Sequence, residues 1–305
     1  MQGSAECFRI AMVGEFAALG AALAFGLSTV LARRFMAAVT PEAGVLVSIT
    51  LNVTVFGTLT LGALWSGRLP PIHPTSIALF VLGGLAGTLV GRNLTYMSIE
   101  RLGPSMSTSV RLTNSVFGLL FGLVLLREWP RAAQLIGLAI VTLGLWIGVW
   151  SRERVRGSVF GGTDATGLVQ ALASSAAFGV GDTVRRMGLG LTPSPVLGAA
   201  VGASAALLAH LLWSIRRHSA RWPRGAALRR GDLWGSAACN TAAILLLLTA
   251  LRHTPVAIAS VLYNLQVLIV LIASPIMLHG QEAIPRGLVF GTLLALAGTA
   301  LILLG

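Results

Sequence analysis

The sequence contains the same arrangement of residues twice, in two copies that lie about 150 residues apart. In each copy an arginine precedes a proline by three residues, and an apolar run then leads to a glutamate. A glycine follows nine residues after that glutamate and another seven residues later. These positions are Arg101, Pro104, Glu128, Gly137 and Gly144 in the first copy, and Arg252, Pro255, Glu282, Gly291 and Gly298 in the second. The copies also open alike, with Ala24-Phe25-Gly26 and Ala177-Phe178-Gly179. A pattern that recurs in the same order over this length predicts a duplicated structural unit.

The composition shows whether this unit folds in water or in a lipid bilayer. Only 10% of the residues are charged and 55% are hydrophobic, with a mean hydropathy of +0.83, whereas a soluble domain is about a quarter charged. The chain is therefore predicted to lie in a bilayer. The net charge of +12 does not indicate a nucleic-acid partner, because neither a basic face on a soluble module nor a reader motif is present. Two cysteines supply neither a disulfide framework nor a metal site, and we expect no cofactor.

The apolar runs are long enough to be helices that cross a membrane, which takes about 20 residues. We expect spans at 14–32, 43–65, 75–98, 104–126, 131–150, 165–185, 195–214, 232–251, 255–278 and 285–304. The first run resembles a signal peptide, but the same pattern recurs near residue 177, so we interpret it as a retained helix. The sequence thus predicts an all-α integral membrane protein of ten helices, with repeats at 14–150 and 165–304.

The number of spans in each copy sets the relation between the copies. Five is odd, so the second copy enters the membrane from the opposite side and lies inverted relative to the first. Inverted repeats are a recurring plan of secondary transporters, whose substrate site lies at the repeat interface near the midplane. The architecture therefore favours transport by alternating access.

The repeated glutamates stand just before the fifth and tenth spans, which Pro130 and Pro285 are expected to open. A carboxylate at a helix start interacts favourably with the positive end of the helix dipole. Capping explains Glu128 and Glu282, and proton coupling is the alternative. Glycines spaced by four residues in the third, fourth and tenth spans predict close packing between helices: Gly83, Gly87 and Gly91, Gly118 and Gly122, and Gly287 and Gly291.

Arginines within the spans are the strongest candidates for function, because charge in a span usually faces the protein interior or a water-filled cavity. Arg111 lies eight residues past Gly103, on the order of 12 Å along a helix. Asn114 and Ser115 follow on the same face. We expect Arg111 either to line a transport cavity or, as the alternative, to bind a structural partner or snorkel to the interface.

A second candidate arginine, Arg92, either lines the same cavity or marks an early end of the third span. Tyr96 shares its helical stripe. Aligning the copies at their prolines places Leu262 opposite Arg111, with Tyr263, Asn264 and Gln266 nearby. We expect this set, together with Asn114 and Ser115, to bind substrate. Arginine binds carboxylate and phosphate in a bidentate manner, so the predicted substrate is an anionic or zwitterionic metabolite.

A carboxylate in the sixth span, Asp182, is expected to pair with Arg185 and Arg186, which lie one helical turn away. This assignment is structural, and a coupling role is the alternative.

The five spans in each copy, the proline that opens the fourth and the glutamate ahead of a glycine-spaced fifth resemble the EamA branch of the drug/metabolite transporter superfamily. The resemblance covers residues 14–304. It implies a multi-pass carrier of the cell inner membrane that exports amino acids or other small metabolites through a cavity formed largely by helices three, four, eight and nine. The matching positions are Glu128, Gly137, Gly144, Glu282, Gly291 and Gly298. Arg92 and Arg111 lie outside this signature, which leaves the substrate open.

The same residues are compatible with functions other than transport of a small molecule. A flippase for a phosphate-bearing lipid would also use deep arginines, and a scaffold or channel without catalytic activity is a further alternative. An enzyme is not expected, because the acids are scattered and no acid pair or His–acid pair stands out. Arginines are more frequent in the connections opposite the termini, which by the positive-inside rule places both termini outside, whereas the resemblance places them inside. The sequence does not decide between a monomer and a homodimer.

Overall fold

The computed structural model describes residues 2–114, 116–117, 120–121, 131–156, 165–217, 222–223, 225–253, 262–278 and 284–304. Within these ranges the regular structure is helical. The helices are α1 (Gln2–Phe35), α2 (Pro41–Trp65), α3 (Pro74–Leu102), α4 (Pro104–Arg111), α5 (Ala132–Arg156), α6 (Ala165–Leu191), α7 (Pro195–Arg217), α8 (Gly231–His253), α9 (Gln266–Met277) and α10 (Arg286–Leu304). One helical turn at 262–264 precedes α9. The all-helical fold predicted from the sequence is confirmed for this part of the chain.

Six of the described helices are long and apolar enough to cross a membrane: α1, α2, α3, α5, α7 and α8. Helices α9 and α10 are apolar but shorter. Helix α6 has sufficient length at 27 residues, but it carries Asp182, Arg185 and Arg186 together with two serines and two threonines. The chain is thus a multi-pass membrane protein by the length and composition of its helices.

Proline and glycine fix the junction between α3 and α4. Gly103 is the single residue that joins the two helices, and its φ of 80° is a conformation that glycine adopts at little cost. Pro104 then begins α4, as predicted, at a position where its missing N–H has no helical partner to lose. A one-residue connection keeps the end of α3 and the start of α4 together.

The repeated glycines bring α5 and α10 into backbone contact. A Cβ built on Gly137 would lie 2.7 Å from the carbonyl oxygen of Gly298, and one built on Gly291 would collide with the carbonyl of Gly144. The first glycine of one copy therefore meets the second glycine of the other, so the two helices run antiparallel. No residue with a side chain fits at these positions without separating the helices.

Helix α3 packs against α6 in the same manner, which confirms the predicted close packing at its glycines. A Cβ on Gly181 of α6 would lie 2.9 Å from the backbone nitrogen of Gly87, and one on Gly83 would lie 3.0 Å from the Gly181 carbonyl. A Cβ on Gly91 would meet the ring of Phe178 at 3.1 Å. The predicted pair Gly118 and Gly122 lies outside the described residues.

The helix axis is irregular at three places near the centre of the fold. Residues Gly84–Gly91 of α3 are a π-helix. After α4, the amides of Leu112 and Thr113 donate to carbonyls three residues earlier, at 3.2 and 3.0 Å, so the helix tightens into a turn. In the second copy Leu265 makes the same kind of bond to Leu262 at 3.2 Å, immediately before α9. Interruptions of this kind are frequent at functional sites.

The packed helix pairs are symmetric with respect to the two copies. Helix α1 packs on α8 and α3 packs on α6, while α2, α4 and α5 pack on α7, α9 and α10, respectively. Exchanging the two copies converts this set of pairs into itself. The helices around the centre therefore come from both copies.

Candidate functional site

A cavity lies between the two copies, next to the irregular segments of α3 and α4. It is bounded by α1, α3 and α4 from the first copy and by α6, α8 and the turn before α9 from the second. The resemblance implied helices three, four, eight and nine, and the structure adds the first and sixth. The described residues that line it are Phe25, Ser28, Thr29, Thr88, Arg92, Thr95, Tyr96, Arg111, Phe178, Asp182, Arg185, Asn240, Ile244, Leu247, Leu248 and Tyr263.

Arg92 is the first residue after the π-helical segment of α3, and it is 4% exposed. Because the helix continues to Leu102, Arg92 lies about 15 Å before its end at 1.5 Å per residue. The alternative that it marks an early end of the span is therefore wrong. Its Nη1 donates a hydrogen bond of 2.7 Å to Ser48 Oγ on α2, which fixes one edge of the guanidinium beside the cavity.

Arg111 ends α4 and connects the two copies. Its Nη2 donates a hydrogen bond of 2.7 Å to the hydroxyl of Tyr263 and a second bond to Gln266 Oε1. Both acceptors belong to the second copy, and Arg111 belongs to the first. Tyr263 and Gln266, predicted as substrate ligands, thus hold Arg111 in the structure, and among the described residues Gln266 does not line the cavity.

Three aromatic rings surround the same guanidinium. The ring centroids of Phe25, Phe178 and Tyr263 lie 5.9, 5.2 and 5.8 Å from its central carbon, within the range in which a cation is attracted to a ring face. Phe25 and Phe178 are the central residues of the two Ala-Phe-Gly motifs. Sequence reasoning treated these motifs only as evidence of duplication and missed their side chains.

Asp182 and Arg185 form an ion pair of 3.2 Å one turn apart on α6, as predicted. Arg186, which was expected to share this pair, is exposed. Arg185 also donates a hydrogen bond of 2.6 Å to Thr88 Oγ1 on the π-helical segment. Its stem crosses α3 at Gly83, where a Cβ would approach the Arg185 Cγ to 2.6 Å. The lack of a side chain at Gly83 and Gly87 is what lets this arginine reach the cavity.

Two buried polar atoms on the cavity wall have no hydrogen-bond partner among the described residues. They are the hydroxyl of Tyr96 on α3 and Oδ1 of Asn240 on α8, in side chains that are 4% and 6% exposed. An unpaired buried polar atom is costly, so a ligand or water is expected to satisfy them. Asn240 was missed from the sequence because a lone asparagine in an apolar run gives no periodic signal.

Two of the other predicted ligands do not line the described part of the cavity. Asn264 is buried and Asn114 is half-buried, and neither is among the described residues that line the cavity. Ser115, Glu128 and Glu282 lie outside the described residues.

The cavity is small and positively charged. The space that the centre of a water molecule can reach in it is about 40 Å³, which holds about three waters at roughly 10–15 Å³ each. Three arginines and one aspartate line the described part of its wall, which leaves two positive charges in excess. Insertion scales assign roughly 2.5–3.5 kcal/mol to each charge at the centre of a spanning helix, so this cluster is expensive unless an anion enters it.

Comparison with known proteins agrees with this architecture. The sequence profile of the EamA-like transporter family matches residues 12–150 and again residues 165–304. A solved structure titled only as the crystal structure of a protein superposes with a TM-score of 0.64 at 17% identity, covering 94% of this chain and 95% of that one. At this identity the likeness concerns the fold. A search of curated proteins found no match. Because the family profile matches in two repeats that together cover most of the chain, this protein is a membrane transporter that belongs to the EamA-like transporter family.

Proposed function

We propose that the protein is a secondary transporter of a small anionic or zwitterionic metabolite, acting as an exporter in the cell inner membrane without catalytic activity. The observation that carries the proposal is the cavity itself, in which Arg92, Arg111 and Arg185 face a single described carboxylate, Asp182. A cationic site enclosed by spanning helices is suited to neutralising an anion during its passage across the bilayer.

The proposed architecture is ten spans, arranged as inverted five-helix repeats at 14–150 and 165–304. The antiparallel contacts of Gly137 with Gly298 and of Gly144 with Gly291 support it. The proposed two-fold axis in the membrane plane would convert one of these two contacts into the other, because Gly137 corresponds to Gly291 and Gly144 corresponds to Gly298. The set of helix pairs, which exchange of the copies leaves unchanged, supports the same relation.

Alternating access around a central site is the proposed mechanism. The breaks after Arg111 and at Leu265 occur in the fourth helix of each repeat. Discontinuous helices at a repeat interface are the usual framework of such sites in transporters. Each break provides a point at which half of a helix can change direction while the other half stays packed.

Flux through reconstituted liposomes tests the function. The panel comprises labelled carboxylates, phosphate esters, amino acids and an organic cation, and the proteins are the wild type, Arg92→Gln and Arg186→Gln. We expect saturable flux of at least one anion. Removing the charge of Arg92 should slow it roughly tenfold, the effect of losing an interaction of about 1.4 kcal/mol, whereas the exposed Arg186 should tolerate the change. Absence of saturable flux in the wild type, or equal rates in all three proteins, would contradict the proposal.

Two further measurements distinguish the alternatives. A fluorescent lipid in the same liposomes reports lipid flipping, and movement of the lipid without solute flux would favour the flippase. A reporter fused to the C-terminus addresses orientation. Activity of the reporter in the cytoplasm supports the family orientation, and activity only in the periplasm would reverse it.

A further inference from the structure

The wall that α8 contributes to the cavity is apolar over most of its length. Asn240, Ile244, Leu247 and Leu248 all line the cavity, and their spacing of four, seven and eight residues places them on one face of the helix. Ile244 and Leu247 are only half-buried. The apolar side chains are therefore part of the ligand-accessible surface and do not belong only to the packed core.

The corresponding wall from the first copy is polar. Arg101 and Arg252 stand at matching positions 151 residues apart, so Tyr96 corresponds to Leu247 and Arg92 corresponds to Ala243. Tyr96 and Leu247 both line the cavity. The duplication has thus diverged at its centre, with donors on α3 where α8 carries hydrocarbon.

The arginines differ in what they can offer to a ligand. Arg111 has one nitrogen bonded to Tyr263 and Gln266, and three rings surround its guanidinium. For Arg92 the hydrogen bond to Ser48 involves one nitrogen only. The Tyr96 hydroxyl, on the same helix, lacks a partner within the described part of the chain. The α3 wall therefore carries the donors best placed for an acidic group.

We propose that the substrate is an organic anion with an apolar body, whose acidic group binds at Arg92 and Tyr96 and whose body lies against Ile244, Leu247 and Leu248. This inference rests on the proposed function, because it names the substrate class of the same site. A fully hydrophilic anion is disfavoured because its polar groups would lie against the apolar α8 wall without hydrogen-bond partners. A neutral apolar solute is disfavoured because it would offer the arginines no counter-charge.

A series of alkanesulfonates tests the proposal, because sulfonates stay ionised and do not leak through lipid. Binding of methanesulfonate through butanesulfonate is measured by titration calorimetry with the whole protein in lipid nanodiscs. Alkylammonium ions of the same lengths control for partitioning into the lipid. We expect affinity for the sulfonates to rise about threefold to fourfold for each methylene, the increment of a fully buried CH₂. The ammonium ions should show no such saturable binding.

A matched pair of variants assigns the effect to the α8 wall. Leu247→Ala should flatten the dependence of sulfonate affinity on chain length, because it removes most of one apolar side chain from the α8 wall. Leu208→Ala makes the same change on α7 at a side chain that is 64% exposed, and it should leave the whole series unchanged. If Leu247→Ala does not fold, Ile244→Val replaces it.

The outcomes separate this inference from the proposed function. Affinity that is independent of chain length, or a length dependence that survives substitution of the α8 wall, overturns the inference even where flux of anions is observed. Binding that increases with chain length but is accompanied by no flux supports the inference and contradicts transport.

Discussion

Tyr263→Phe tests the assignment of Arg111 as a connection between the two copies. The substitution removes the hydroxyl that accepts the 2.7 Å hydrogen bond from Arg111, while the ring that lies 5.8 Å from the guanidinium carbon remains. Hydrogen bonds to charged groups contribute about 1.5–3 kcal/mol in soluble proteins. Side-chain hydrogen bonds within membranes average about 0.6 kcal/mol and reach about 1.7 kcal/mol. Because this bond is buried and charge-assisted, we expect a loss of about 1–2 kcal/mol in the free energy of unfolding.

The chain supplies its own control, since it has only two tyrosines and both line the cavity. The hydroxyl of Tyr96 has no partner among the described residues, so Tyr96→Phe should change the unfolding free energy by less than about 0.5 kcal/mol. Reversible unfolding in mixed micelles of detergent and sodium dodecyl sulfate measures both variants. A double-mutant cycle of Tyr263→Phe with Arg111→Met isolates the pair. Equal losses for the two tyrosine variants, or a coupling energy near zero, would refute the reasoning.

Two further predictions concern packing and charge. Gly144→Val should lower the free energy of unfolding by about 1–3 kcal/mol, because overpacking forces the two backbones apart. Gly57→Val is the control and should be nearly neutral in the same assay, since a Cβ at Gly57 meets nothing within 4 Å. Equal effects of the two substitutions would show that the contact of Gly144 with Gly291 does not limit side-chain size. Asp182→Asn should tighten the binding of anions several-fold, as measured by calorimetry. The substitution removes the one described carboxylate of the cavity and frees Arg185 from its ion pair. Weaker binding would mean that Asp182 acts mainly by positioning Arg185.

Much of the fold was predictable because bilayer constraints act on long stretches of sequence. The apolar runs, the start of α4 at Pro104 and the close packing at Gly83 and Gly87 each follow from a local rule. The sequence predicts that the third span ends at 98, four residues before the helix does, because Glu100 and Arg101 interrupt the apolar run. The helix nevertheless continues, and Arg33 of α1 donates to the carbonyl of Glu100 at 2.6 Å.

The burial of the central arginine was predictable from the sequence, but which polar residues line the cavity around it was not. The distance of Arg111 from its helix start indicated a buried position, which the structure has. Asn114 and Asn264 were assigned to the cavity by counting residues along uninterrupted helices. Asn114 follows the turn at Leu112 and Thr113, and Asn264 lies within the turn that Leu265 closes onto Leu262, so neither residue keeps the phase of an uninterrupted helix. Breaks of this kind depend on tertiary packing and leave no periodic signal in the sequence.

The contacts of Arg111 also bear on how such a chain evolves after a duplication. Arg111 belongs to one copy, while Tyr263, Gln266 and Phe178 belong to the other. Aligned at their prolines, the copies place Leu262 opposite Arg111 and Leu112 opposite Tyr263. An assembly of two first halves would bring two arginines together without their acceptors, and one of two second halves would hold the acceptors without the cation. Each copy therefore depends on side chains that only the other copy supplies. A return to an assembly of two identical copies would require the arginine and its acceptors to be present in the same copy.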